Sequence, residues 1–246
     1  SDYPTTRAAI GPGGGWDIVI TKLNATGTGL VGSVRIGGGS DDGVNIRNKY
    51  PVTTATSLQR NYGDDSRSEV VLDPAGNILV ASCTQSANFP VTPGAFQATK
   101  ANAQDAVLLK FNSNLSTTIF SSFLGGSDDD AAYVLANSPA GNIYVAGGTA
   151  STNFPGNKAG TVGPTHAGVI DGFVAEVNPT GTTLIRSTFI GTNGIDQVYG
   201  IQFDTRGFLY VMGNATGNFP VRNAAFSQPG GKQFIAKLEN DLSAYI

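Results

Sequence analysis

The sequence has very few of the residues that disulfide frameworks, metal clusters and histidine-based catalysis need. Its 246 residues include one cysteine, one methionine, one tryptophan and one histidine. A single cysteine, Cys83, excludes a disulfide within the chain, and a single histidine leaves little for metal binding or acid–base chemistry. A chain that avoids cysteine is also compatible with export, where unpaired thiols are a liability.

Charge and long apolar runs are scarce as well. Charged residues make up 13% of the chain and the net charge is −3, so no positive field exists to recruit nucleic acid or an anionic membrane. No apolar run approaches the roughly 18 residues of a membrane span. The N-terminal residues lack the basic start and apolar segment of a signal peptide, so an exported protein would be represented here by a mature form.

What the sequence does contain is glycine, 33 residues, and an internal repeat. The string Asn-Phe-Pro occurs at 88–90, 153–155 and 218–220, at intervals of 65 residues, and Asp2-Tyr3-Pro4 is an earlier variant. The first interval is 86 residues, which indicates an insertion of about 21 residues in one repeat.

Each repeat contains four short β-rich segments, bounded by Gly, Pro, Asn or Asp. The first is represented by Asp17–Asn24, Asp105–Asn112, Asp171–Asn178 and Lys232–Glu239; the second by Ser33–Ile36, Ser121–Leu124, Ser187–Ile190 and Ser243–Ile246; the third by Glu69–Asp73; the fourth by Ile78–Ala81, Ile143–Ala146 and Leu209–Met212. Four short strands per repeat predict an all-β fold, a β-propeller of four-stranded antiparallel blades. A solenoid of small sheets is the structural alternative.

The repeats divide the chain as a single propeller region with interrupted ends. Residues 1–10 align with the end of a preceding repeat, 11–98 form a repeat with an insertion at about 43–68, 99–163 and 164–228 are further repeats, and 229–246 supply the first two strands of another. We therefore expect an incomplete ring whose remaining blades come from the same or another chain, and not a free monomer, because exposed strand edges and blade faces invite pairing.

These segments resemble the bacterial SBBP, or seven-bladed β-propeller, repeats. The resemblance rests on the strand at 171–178, the Ser-Thr-Phe-Ile segment at 187–190, the Pro-Ala-Gly-Asn-Ile-Tyr-Val-Ala-Gly stretch at 139–147 and the Asn-Phe-Pro-Val-Thr-Pro-Gly-Ala-Phe stretch at 88–96. It implies an extracellular or cell-surface setting in a bacterium, without a common enzymatic activity.

Acidic residues recur at two places in the repeat. Asp17, Asp105 and Asp171 precede a strand, and we interpret them as hydrogen-bonding residues at the blade entry. Asp41-Asp42 and Asp128-Asp129-Asp130 follow Gly-rich turns, where capping of the turn explains them most simply. Adjacent carboxylates in such a loop also suit Ca²⁺, so Asp128, Asp129 and Asp130 are the candidate metal ligands. No other cofactor is expected.

The insertion is the most individual part of the sequence. It carries Arg47, Lys49, Tyr50, Arg60 and Tyr62, and Arg with Tyr is the composition of interface hot spots. Insertions in repeat proteins map to loops, often on the binding face. These five residues are the candidate partner-binding residues, and a solvated hairpin without a partner is the alternative.

Two further residues have both a structural and a functional interpretation. Trp16 precedes a strand, where packing at a blade edge is favoured over a surface contact to sugar or protein. Cys83 aligns with Gly148 and Asn214, so we expect a buried packing thiol and not a reactive one.

The sequence favours a non-catalytic extracellular or cell-surface interaction or scaffold protein, adhesin-like or part of an envelope assembly. Its partner would be protein or further propeller blades, with carbohydrate as another candidate. A structural subunit of a surface filament or large complex is the first alternative. An extracellular propeller lyase or glycosidase is the second, and the few non-repeating polar residues it could use are Glu69, His166, Glu176 and the basic residues of the insertion.

Overall fold

The computed structural model of the protein describes residues 3–45, 67–101, 104–228 and 230–246. Across these ranges the fold is all-β: thirteen strands and no helix, hence no helix long and apolar enough to cross a membrane. The strands are β1 (Ile18–Leu23), β2 (Leu30–Ile36), β3 (Glu69–Leu72), β4 (Ile78–Thr84), β5 (Asp105–Phe111), β6 (Thr118–Leu124), β7 (Asp130–Asn137), β8 (Ile143–Thr149), β9 (Asp171–Val177), β10 (Leu184–Ile190), β11 (Asp196–Phe203), β12 (Leu209–Ala215) and β13 (Gln233–Leu238).

The strands form four antiparallel sheets in chain order. The first sheet contains β1 and β2, the second β3 to β6, the third β7 to β10 and the fourth β11 to β13. A bridge between Leu238 and Tyr245 extends the fourth sheet at its outer edge. Each sheet is a meander, as in a propeller blade. The sheets described close no ring, so the predicted all-β, propeller-like and incomplete architecture is confirmed.

Each complete sheet takes strands from two successive sequence repeats. The Pro-Ala-Gly-Asn turn joins the first two strands, and Asp73 accepts hydrogen bonds from the backbone of Ala75 and Asn77 within it. The last two strands come from the next repeat, so the repeat boundaries at 98–99 and 163–164 fall between strands of one sheet. Successive repeats are therefore joined by sheet hydrogen bonding as well as by the chain.

The hydrophobic core consists of three clusters, each lying mainly between two successive sheets. Ile20 and Val34 of the first sheet pack against Val80 and its neighbours in the second. Leu108 of the second sheet belongs to the cluster that reaches the third, and a third cluster joins the third and fourth sheets. Because each sheet buries one face against each neighbour, β4, β5, β8 and β9 are buried along their whole length.

The segment after the second strand of a sheet crosses to its outer edge. Thr92 N donates to Ser121 O at 3.0 Å and Phe123 N to Gln97 O at 3.2 Å, so this segment covers the edge of β6. Residues 3–10 cover β2 in the same way, through Thr6 N to Ser33 O and Ile10 N to Arg35 O, both 2.9 Å. These contacts protect strand edges that would otherwise be open for pairing.

Candidate binding surfaces

The aspartates before the strands hold the blade entry, as the sequence predicts. Asp171 accepts hydrogen bonds from the backbone N–H groups of Ala167 at 2.7 Å and Gly168 at 3.2 Å. Asp105 accepts from Ala101 N at 3.0 Å. Asp17 instead forms an ion pair with Arg35, at 2.9 Å.

The last acid of each Gly-rich cluster closes its turn. Asp130 accepts from Gly126 N at 2.6 Å and from the Ser151 hydroxyl at 2.9 Å. The equivalent Asp42 and Asp196 accept from the backbone N–H groups four residues earlier, at 2.7 and 2.5 Å. The interpretation of these acids as turn-closing groups is confirmed at Asp42 and Asp130, and Asp196 closes its turn in the same way.

The three candidate calcium ligands have different surroundings. Asp130 is fully buried, Asp129 is half-buried and Asp128 is exposed. In the ranges that the structure describes, no group of three acidic, histidine or cysteine side chains is placed to hold a metal ion. A calcium site at Asp128, Asp129 and Asp130 stays a prediction.

The entry aspartate Asp105 and the turn aspartate Asp130 form a buried pair of carboxyl groups. A Cβ on Gly125 would fall 2.6 Å from Asp105 Cγ and 2.8 Å from Asp130 Oδ2, so only glycine fits between the two carboxyl groups. Burial raises the pKa of Asp130 to about 8, and the neighbouring charge of Asp105 adds to the shift. Burial also raises the pKa of Asp42 and Asp196, so the turn aspartate is shifted in the same direction in all three repeats.

The predicted partner-binding residues Arg47, Lys49, Tyr50, Arg60 and Tyr62 lie outside the described residues. Their role stays a prediction. Arg67 follows them and is described: its guanidinium donates to the carbonyl of Tyr199 on β11, at 3.0 Å. The chain that leaves the insertion is thus attached to the fourth sheet.

The single tryptophan and cysteine have opposite environments. Trp16 is 64% exposed, and its backbone N–H donates to Asp41 Oδ1 at 3.0 Å. The favoured packing interpretation of Trp16 is therefore wrong among the described residues, where most of the residue is left uncovered. Cys83 is fully buried, as predicted, and burial raises the pKa of its thiol, which makes it inert as a nucleophile.

Three of the non-repeating polar residues have separate partners. Glu69 accepts from Leu135 N at 2.6 Å, His166 lies 3.3 Å from Thr149 O with its ring edge-on to Phe189, and Glu176 pairs with Arg186 at 3.2 Å. The Glu69 contact joins the second and third sheets, whereas His166 and Glu176 contact different residues within the third sheet.

The fourth sheet has an apolar face that no further sheet covers among the described residues. Met212 and Ile235 are directly opposite each other on β12 and β13, so their side chains share one face. They are 45% and 75% exposed. The equivalent face of the third sheet, with Ala146 and Val174, is buried against the fourth. We call the Met212–Ile235 surface the back face of the fourth sheet.

A second apolar surface lies on the opposite side of the stack. Val70 and Leu72 on β3 are 59% and 58% exposed and pair with Val80 and Ile78. Val80 and Ile78 are covered by the first sheet, in which only β1 and β2 are present among the described strands. We call the Val70–Leu72 surface the front face of the second sheet.

A cavity of about 350 Å³ opens between the turns of the third and fourth sheets. One row of paired residues, Tyr144, Glu176 and Arg186, runs across β8, β9 and β10 beside it. Sequence reasoning noted Glu176 as non-repeating but did not find the cavity. The sequence did contain a signal: the position of Glu176 is occupied by lysine in the other repeats, at Lys22, Lys110 and Lys237.

Comparison with protein families agrees with this architecture. Residues 185–220 match the SBBP family model, described as a beta-propeller repeat. The resemblance to SBBP repeats is confirmed. The matched segment begins in β10 and ends after β12, so an SBBP repeat spans the junction between the third and fourth sheets and includes Arg186 of the cavity. No curated protein matched the chain.

Proposed function

We propose that this protein is a non-catalytic extracellular or cell-surface scaffold that associates through its uncovered blade faces. The observation that carries this proposal is the contrast between Ile235, 75% exposed, and Val174, its fully buried equivalent in the third sheet. Large apolar side chains exposed on one sheet face favour a contact with another surface.

The two uncovered surfaces complement each other. Between the third and fourth sheets, the face carrying Val174 packs against the face carrying Val211. The back face of the fourth sheet is equivalent to the first of these, and the front face at Val70 and Leu72 is equivalent to the second. Val80, the equivalent of Val211, is already covered by the first sheet, so a head-to-tail contact between two copies would repeat only the part of this interface at Val70 and Leu72, and such contacts build rings or filaments.

The absence of a catalytic role is part of the proposal. Glu69, His166 and Glu176 each contact a different residue, whereas acid–base catalysis needs its groups within reach of one substrate. The extracellular or cell-surface location is supported by the SBBP resemblance and by the near absence of cysteine.

Light scattering during size-exclusion chromatography tests the association. The chain has a mass of 25.3 kDa, and we expect a larger species that the double variant Met212→Lys, Ile235→Lys converts to the monomer, because two charges would be buried at the contact. The control is Ile119→Lys, at an exposed position on β6, which lies at the opposite edge of the second sheet from β3.

The outcomes separate the candidates. A fixed multiple of 25.3 kDa indicates a closed ring, and a mass that grows with concentration indicates the filament subunit. A wild-type monomer at all concentrations, or a larger species unaffected by the double variant, contradicts association through the back face.

A further inference from the structure

The junction between the third and fourth sheets departs from the other two junctions at several neighbouring positions. In the second sheet the row that corresponds to Tyr144, Glu176 and Arg186 is Leu79, Lys110 and Phe120. Both rows are paired across three strands in the same register. The whole row therefore changes from apolar and basic residues to a mixed polar set.

The second-sheet row closes its junction. Lys110 Nζ donates to Pro179 O in the next sheet's turn, at 3.2 Å, and Lys22 makes the same contact to Ser113 O, at 2.7 Å. Phe120 is buried against the backbone of Gly181, where a Cβ would fall 2.2 Å from the ring. Gly181 also has a φ of +69°, so both its contact with Phe120 and its backbone conformation favour glycine.

The third-sheet row leaves its junction open. Tyr144 OH donates to Asn240 O at 2.6 Å, and Arg186 Nη1 donates to Asp241 O at 2.6 Å, so these side chains still connect the sheets. Neither fills the space of Phe120, and the cavity of about 350 Å³ lies there. This volume is at the lower end of the range for small-molecule sites, roughly 300–1,000 Å³.

The polar groups of the cavity suit a neutral ligand. Its lining includes two carboxylates, Glu176 and Asp241, and two guanidinium groups, Arg186 and Arg206. An anion would meet both carboxylates and a cation both arginines, whereas a hydroxyl group can donate to a carboxylate and accept from a guanidinium.

Hydrogen-bonding capacity remains for such a ligand. Arg186 Nε makes no hydrogen bond within the described residues, but it is buried 3.2 Å from Glu176 Oε2, so a ligand would reach it only by displacing that contact. The Arg206 side chain is 72% exposed at the cavity rim. Pro139 and Ala140 add apolar surface, which fits the C–H faces of a sugar ring.

We infer that this cavity binds a neutral saccharide unit, through the Glu176–Arg186 pair and Arg206. The inference does not depend on the association of the uncovered faces, because the cavity lies on the other side of the fourth sheet from Met212 and Ile235.

Saturation-transfer NMR with glucose, galactose, mannose and N-acetylglucosamine tests the inference. We expect transfer to at least one sugar. The row-exchange variant Tyr144→Leu, Glu176→Lys, Arg186→Phe also needs Leu242→Gly, because Leu242 is at the position of Gly181 in the next turn. This quadruple variant recreates the second-sheet junction and should weaken that binding at least about tenfold, because charged hydrogen-bond partners are lost. The variant Arg206→Ala, at a position whose side chain is 72% exposed, should weaken it as well.

The matched control is Lys22→Met, at the Glu176 position of the first sheet, which should bind as wild type. Absence of transfer to all four sugars contradicts the inference, as does binding that neither the row exchange nor Arg206→Ala weakens. Tighter binding of inorganic phosphate or of ammonium than of any sugar contradicts the neutral class of ligand. Loss of sugar binding leaves the mass in light scattering unchanged, so failure of either proposal is recognisable.

Discussion

The third and fourth sheets have the same strand order but different surroundings. Val174 on β9 is fully buried, whereas Ile235 at the same position of β13 is 75% exposed. Both are β-branched residues at the same position of equivalent strands, so the local sequence pattern does not determine their burial. Their burial depends on the next sheet. The fourth sheet packs on this face of the third sheet, and no sheet packs on the same face of the fourth among the described residues.

The largest expected difference between enclosed and uncovered sheets is in the cost of truncating an apolar side chain. Leu108, at the same repeat position, is fully buried between the second and third sheets. We expect Leu108→Ala to lower the free energy of unfolding by about 2–5 kcal/mol, because it leaves a cavity. Ile235→Ala should change it by less than about 0.5 kcal/mol in the monomer.

Urea denaturation at low protein concentration measures both variants under conditions that favour the monomer. Equal losses at the two positions would show that the back face of the fourth sheet is covered in the folded monomer. The comparison between the sheets would then not hold.

The second prediction concerns the pH dependence of stability. The pKa of Asp130 is raised to about 8 by burial, above its ordinary value of about 4 in the unfolded chain. Between these values the folded protein holds a proton that the unfolded chain has lost. Stability should therefore fall as pH rises from about 4 to about 8, by about 1 kcal/mol per pH unit for one such proton.

Denaturation at a series of pH values measures this slope in wild type and in Asp130→Asn, which should flatten it. Asp196→Asn, at the equivalent position in the fourth sheet, is the matched comparison, and its effect should be smaller because Asp196 begins a sheet enclosed on one side only. Stability that rises with pH across this window would contradict the raised pKa of Asp130.

Much of this architecture could be predicted from the repeat. The four β-rich segments form strands, and Asp105, Asp171 and Asp130 hold the turns and entries that their positions indicated. These features recur because every blade needs the same local hydrogen bonds.

The features that differ between blades were harder to predict from the sequence. The exposure of Trp16 and Ile235 depends on whether another element covers them, which no local pattern specifies. The cavity depends on three residues from three strands, Tyr144, Glu176 and Arg186, that only the strand register places in one row. The lysine-to-glutamate change at position 176 was visible, but its neighbours across the sheet were not.

The smallest expected effect compares one ion pair in two sheets. Lys110 and Asp73 lie 2.9 Å apart with side chains about 9% and 10% exposed, whereas Lys237 and Asp204 lie 3.7 Å apart and about twice as exposed. Double-mutant cycles with Lys→Met and Asp→Asn should give a coupling of about 1 kcal/mol for the first pair. The second pair should show no measurable coupling, because solvent screens exposed charges. Equal couplings would mean that the turn of the third sheet, with Pro179, does not shield Lys110 from water. The third sheet would then cover the strands of the second sheet but not its turn.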